Sequence, residues 1–235
     1  GGLLIHTTDG GHLWSLLPTT GTIKWLNGVY FFDKFNGFVV GESETVLRTK
    51  DGGNTWEKMN AGADRKFYGF RSFYRDIAFK GNNGWIVGQN GTILATRDKG
   101  RTWEPQATEF DEKVREMMDL QKVCFIDEDN GFALGGVGSR IMRTNNGGKS
   151  WNLMTIPNND QINGACFNDD GKGFIVGDRS KILKTADKGN KWKRVNGRNR
   201  DDNHIDLLIF TAHGDDSPIQ HGFLMTYLSK IEDKN

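Results

Sequence analysis

The chain has 235 residues, with Lys+Arg 31 against Asp+Glu 30 and a net charge of +1. That balance excludes nucleic-acid binding through bulk charge, and no apolar run approaches the ~20 residues of a membrane-spanning helix. Gly 31 beside Trp 7, Phe 15 and only Pro 4 is about twice the usual glycine share and points to many tight turns between short strands.

The chain opens inside a motif, TTDGGHLW at 7–14, which reads as the start of a fragment; no signal peptide is visible. The motif returns as TKDGGNTW at 49–56, TRDKGRTW at 96–103, TNNGGKSW at 144–151 and TADKGNKW at 185–192. Its closing residues are Trp14, Trp56, Trp103, Trp151 and Trp192, spaced by 42, 47, 48 and 41. Upstream of the last four copies stand NGFVVG, NGWIVG, NGFALG and KGFIVG, and further upstream an apolar run ends in Phe32, Phe79, Phe125 or Phe167. Three signals in fixed order define four repeats, at about 22–60, 70–107, 117–155 and 162–197.

Within each repeat the pattern predicts four short strands. The first ends at the Phe, the second carries the Gly-aromatic sequence, the third ends in Thr (TVLRT, TILAT, RIMRT, KILKT), and the fourth starts at the Trp. A short helix is expected at 111–120, where DEKVREMMDL has helical spacing. Cys124 and Cys166 occupy matching contexts, KVCFID and GACFND; they read as small strand residues, with a disulfide between neighbouring strands as the alternative.

The T-x-D-x-G-x-x-W turn has a local cause. Its Asp side chain accepts hydrogen bonds from backbone N–H groups of its own loop, a glycine supplies positive φ, and the Trp buries a large face. Asp9, Asp51, Asp98 and Asp187, with Asn146 in the fourth copy, are therefore structural residues and not catalytic ones.

These turns resemble the Asp-boxes, or BNR repeats, of sialidases, sortilin-type receptors and photosystem II stability/assembly factors. The NGFxVG…ILxTxDGGxTW combination is most similar to the assembly-factor type. The resemblance covers about 3–197 and implies an all-β fold, a β-propeller of four-stranded blades. Residues 3–18 carry only third and fourth strands. IDLLIF at 205–210 and HGFLMTYL at 221–228 fit the missing first and second, with Phe210 lying 43 residues after Phe167. The expected architecture is thus a single domain with five blades, the closing one formed by 3–18 plus 205–229.

The tail carries a competing signal. DLLIFTAHGDD at 206–216 resembles the opening of PIG-L/LmbE-type zinc deacetylases, which would make His213 and Asp216 metal ligands and Asp215 a general base. Gly214 stands where that family has Pro. Blade completion is the preferred reading, with no metal and no cofactor; zinc belongs only to the alternative.

Glycosidase chemistry finds no support, since neither an Arg-Ile-Pro motif nor a paired carboxylate stands out. The best candidate for function is the longest irregular linker, NAGADRKFYGFRSFYR at 60–75. It places Arg65, Lys66, Arg71 and Arg75 among aromatics that include Tyr68 and Tyr74, a combination enriched at interface hot spots. The corresponding linkers carry Arg115, then Arg198 and Arg200. Guanidinium groups on one face suit an acidic segment or a carboxylate. The alternative is a solvated linker whose aromatics cover the core edge.

The function expected is a non-enzymatic binding scaffold of assembly-factor type, taking a protein or peptide, monomeric, with no nucleic acid and no membrane span. The family resemblance implies an extracytoplasmic site of action. Its alternatives are an exported protein with a propeller preceding a PIG-L-type hydrolase and, more weakly, a carbohydrate-binding propeller.

Overall fold

The computed structural model describes residues 2–17, 21–22, 24–61, 73–106, 108, 110–135, 141–154, 162–168, 170–177 and 181–195. Most of the 60–75 linker, Arg198, Arg200 and the whole tail from 205 lie outside the described residues.

The described chain is almost entirely β. A two-stranded sheet pairs β1 (Ile5–His6) with β2 (Ser15–Leu16). Four antiparallel meanders follow, each pairing its strands in chain order. The first contains β3 (Leu26–Phe31), β4 (Gly37–Gly41), β5 (Thr45–Thr49) and β6 (Glu57–Lys58); the second β7 (Tyr74–Lys80), β8 (Asn83–Gly88), β9 (Ile93–Thr96) and β10 (Glu104–Pro105). A short helix, α1 (Glu112–Glu116), leads to β11 (Leu120–Phe125), β12 (Gly131–Gly135), β13 (Ile141–Thr144) and β14 (Asn152–Met154). The last meander contains β15 (Ile162–Phe167), β16 (Gly173–Gly177), β17 (Lys181–Thr185) and β18 (Lys193–Arg194). The chain divides into two compact units, 1–123 and 124–235, with the division inside β11.

Each second strand is largely buried, as its unbroken apolar run requires: Phe38, Val39 and Val40 in β4, Trp85, Ile86 and Val87 in β8, Phe132, Ala133 and Leu134 in β12. The glycine that opens it serves the neighbouring ring. A Cβ on Gly37, Gly84, Gly131 or Gly173 would lie within 2.7 Å of Phe31, Phe79, Phe125 or Phe167 respectively. The same four rings meet the Asp-box indoles edge-on, at 6.3 Å to Trp56, 5.7 Å to Trp103, 5.9 Å to Trp151 and 5.9 Å to Trp192. A first-strand Phe, a second-strand Gly and a box Trp thus form one repeated packing unit.

Two expectations are corrected in register and extent. In the first meander Phe31, not Phe32, is the ring opposite the glycine, because Phe31 pairs with Gly37; Phe32 turns to the other side of the sheet and packs at 4.6 Å from Phe79. The helix is confined to Glu112–Glu116, capped by Asp111, whose carboxylate accepts the Val114 N–H at 2.9 Å. It stops short of 120 because Asp119 already pairs with Gln89 as an isolated bridge and Leu120 enters β11.

Candidate functional site

The Asp-boxes come first, since they hold most of the repeated carboxylates. In all five copies the Thr hydroxyl donates to the Asp or Asn oxygen at 2.7–2.9 Å. The glycine two residues after the Asp or Asn donates its N–H to that hydroxyl at 2.8–3.0 Å. The backbone N–H four residues beyond the Asp or Asn returns to the same carboxyl or amide oxygen at 2.8–3.0 Å. Asn146 needs only its amide oxygen for the shared role, and its NH2 adds a bond to Ser150 at 2.8 Å. Hydrogen bonds from Thr55 and Thr49 hold the Asp51 carboxyl down at about 2. At Asp98 partial desolvation opposes the shift, and the bonds from Thr102 and Thr96 overcome it, again to about 2. These groups stay ionised and are saturated inside their own turns, so none is poised for acid–base work.

The closing indoles are not equally packed. Trp103 and Trp151 are buried, Trp56 and Trp192 half-buried, and Trp14 is 58% exposed. The expectation that every box Trp is packed is corrected at Trp14, which has no first-strand Phe against it among the described residues.

Within the first unit, the turns between second and third strands meet the segments that enter first strands. Glu42 donates its N–H to the Trp25 carbonyl at 2.8 Å, and its side chain accepts the Trp25 N–H at 3.2 Å. Gln89 repeats both bonds with Phe73, at 3.0 and 3.3 Å. Gly91 donates to the Met118 carbonyl at 2.8 Å. This end of the unit therefore gathers Trp25, the 42–44 turn, Phe73, the 89–91 turn and α1, and it is where the 60–75 linker enters and leaves.

A bulge near the start of each first strand sends one side chain across this face. Register shifts fall at Leu26/Gly28 and Tyr74/Asp76, so Asn27 and Arg75 are the extra residues. Asn27 donates from its amide to the Tyr74 carbonyl at 2.8 Å. Arg75 makes a two-pronged contact with Asp119, at 3.0 Å from Nε and 2.9 Å from the second nitrogen, and lies 5.3 Å from the Phe73 ring. The next residue, Asp76, reaches the Val123 N–H at 3.1 Å and Lys122 at 3.7 Å. Burial pushes its carboxyl pKa up, with Lys122 and the Val123 N–H opposing.

This geometry separates the sequence candidates. Tyr74 is corrected: it is 1% exposed and belongs to the core with Phe38, Ile77 and Phe79, because β7 begins there and the bulge at Arg75 brings its ring to the same side as Ile77 and Phe79. Arg75 is on the expected face, but its fork is occupied by Asp119. Arg115 lies at the end of α1, its side-chain stem over Gly91, where an added Cβ would be 3.4 Å from Cγ. Arg65, Lys66, Tyr68 and Arg71 lie outside the described residues, as do Arg198, Arg200, His213, Asp215 and Asp216. Asp119, the partner of Arg75, was missed by sequence reasoning; its helix-to-strand context gave no charge pattern to mark it. Among the described residues no cluster of three or more His, Cys, Asp or Glu is arranged to hold a metal ion.

The family model described as photosynthesis system II assembly factor YCF48 matches residues 17–115 and 109–206. The photosystem II assembly protein Ycf48 of Thermosynechococcus vestitus is 39% identical over 66 residues, 28% of this chain and 17% of that protein. The photosystem II assembly lipoprotein Ycf48 of a Nostoc species is 36% identical over 59 residues, 25% of this chain and 17% of that one. A solved structure of YCF48 bound to a D1 peptide aligns with 80% of this chain and 59% of its own, at a TM-score of 0.60 and 24% identity. A Niastella koreensis GH74 enzyme aligns with 83% of this chain and 34% of its own, at a TM-score of 0.62 and 14% identity. The structural likenesses establish the fold, a β-propeller. The chain spans 17% of the length of each of these two curated relatives and 59% and 34% of the two solved structures.

Proposed function

The chain belongs to the photosynthesis system II assembly factor YCF48 family, and from that premise we propose that it is a non-enzymatic propeller scaffold that holds a polypeptide segment on its loop face. The observation that carries this reading is the alignment of 80% of the chain with a YCF48 solved with a D1 peptide bound. The likeness to GH74 enzymes is one of fold at 14% identity, and fold does not fix function.

The chemistry of the face fits the reading. The linker sequence carries Arg65, Lys66, Tyr68 and Arg71, and Arg115 stands on α1. Arg75 holds Asp119 and thereby anchors the linker's end. Guanidinium groups suit an acidic segment or a terminal carboxylate, which they grip in a planar fork. Arg198 and Arg200 offer the same chemistry in the second unit. In this reading the protein acts as a monomer outside the cytoplasm, in keeping with a Nostoc relative that is named a lipoprotein.

Fluorescence anisotropy with a labelled D1 peptide tests the reading. Saturable binding that weakens in an Arg65→Ala/Arg71→Ala variant supports it. Binding indifferent to both arginines removes this face from the proposal.

A further inference from the structure

The two bulges of the first unit each send a side chain to the entry of the next meander, and they do so with different chemistry. Asn27 makes one neutral bond there, from its amide to the Tyr74 carbonyl at 2.8 Å. Arg75, at the equivalent bulge, meets a carboxylate instead: Asp119 accepts from Nε at 3.0 Å and from the terminal nitrogen at 2.9 Å. An amide is enough to join neighbouring meanders at this position, so a guanidinium with its own acid exceeds what the joint needs.

The pair has the form of a carboxylate receptor that already holds a carboxylate. The Arg75 guanidinium lies 5.3 Å from the Phe73 ring, a support suited to a planar cation. Phe73 is held in turn by Gln89, which bonds its N–H at 3.3 Å and its carbonyl at 3.0 Å. The fork thus has a base that does not involve Asp119. The acid comes from 44 residues along the chain, at the joint between α1 and β11, on the same face as the end of the 60–75 linker. Both side chains keep contact with solvent, 24% for Arg75 and 36% for Asp119. An ion pair this exposed is only weakly favoured over its open state, so a second carboxylate arriving on the face can compete for the fork.

We propose that Asp119 is an internal counterion that fills the carboxylate site of Arg75, and that a carboxylate of the bound polypeptide displaces it. This rests on the reading of the loop face as a polypeptide site. One carboxylate replaces another on the same two N–H donors, no proton is transferred, and Asp119 turns to water. Asp119 then determines affinity and specificity. The ligand's gain at Arg75 is reduced by the pair it breaks, so an isolated acid is held poorly and an acid on a segment with further contacts to the face is preferred.

Anisotropy with a labelled D1 peptide, on the full chain, compares wild type, Asp119→Asn, Arg75→Ala and Asp119→Asn/Arg75→Ala. Asp119→Asn keeps the shape of the side chain and removes its charge from the fork. It is expected to tighten binding about 2- to 5-fold, the strength of an exposed ion pair. Against Arg75→Ala, the double variant is expected to show no gain, which separates a freed fork from the general loss of a negative charge. Equal affinity in wild type and Asp119→Asn, weaker binding by a folded Asp119→Asn, or a gain that survives Arg75→Ala overturns the proposal and leaves the polypeptide site standing. Binding by none of the four proteins overturns the reading of the face and the role of Asp119 together. NMR of the wild type gives an answer that needs no variant at 119: the Arg75 Nε–H and the Asp119 carboxyl carbon should both shift at saturation with the peptide, and an unmoved Asp119 signal overturns the displacement.

Discussion

Phe79 is the centre of the first unit's core, and its removal gives a sharp test of the repeated packing. It is 4% exposed and lies 5.0 Å from Tyr30, 4.6 Å from Phe32, 5.5 Å from Phe38 and 5.7 Å from Trp103. Phe79→Ala should cost about 4 kcal/mol, the upper part of the usual range for a buried Phe, because several ring contacts vanish together. Gly84→Ala places a Cβ 2.3 Å from the Phe79 ring and should cost about 2 kcal/mol through overpacking. In the double variant the clash has no ring to strike. The two costs should therefore fail to add by at least about 1 kcal/mol. Urea denaturation, with constant slope across the four proteins, measures the cycle. Full additivity would refute the claim that this glycine is retained for the ring opposite it.

The Asp-box makes two further predictions. Thr96→Val should destabilise by about 1–3 kcal/mol, since the buried Gly100 N–H loses its acceptor, whereas Asp98→Asn should cost less, because an amide oxygen keeps the bonds of the turn as Asn146 does and only the charge is lost; melting temperatures distinguish them. Asp51 and Asp98 titrate near 2 in the folded protein against 3.8 ordinarily, so their stabilisation is present above about pH 4 and is lost as pH falls toward 2; a pH series of melting temperatures should show that fall, reduced in an Asp51→Asn/Asp98→Asn variant. Arg75→Ala should lower stability by about 0.5–1 kcal/mol, because it removes the two-pronged partner of a part-exposed Asp119; an unchanged denaturation midpoint would show that the pair is not a clamp.

Much of this fold is legible because each repeat states its strands twice, once in hydrophobicity and once in turn chemistry. The Thr-Asp-Gly turn fixes where the third strand ends, and the Gly-aromatic pair fixes where the second begins. The one-residue slip at Phe31 and Phe32 arose because VYFF offers two adjacent rings, and only the pairing with Gly37 decides which one faces the box. Tyr74 was misplaced for a related reason. Arg and Tyr in an aromatic-rich linker read as surface, yet β7 starts at Tyr74 and the bulge at Arg75 turns that ring to the core side. Asp119 was invisible because its role depends on a bulge at Arg75, and a bulge leaves no periodic mark in sequence. Trp14 shows the limit of a local motif: its turn is formed, yet the indole is exposed, so the turn alone does not bury its Trp.

The proposed role of the protein rests on an arginine-bearing loop face that holds a polypeptide. Titration of the full chain with a labelled D1 peptide, in wild type and in Arg65→Ala/Arg71→Ala, tests it most directly. Saturable binding is expected that weakens in the variant at unchanged melting temperature and that falls with added salt, as charge-assisted recognition requires. Absence of binding by the folded wild type, or equal affinity in both proteins, would contradict it.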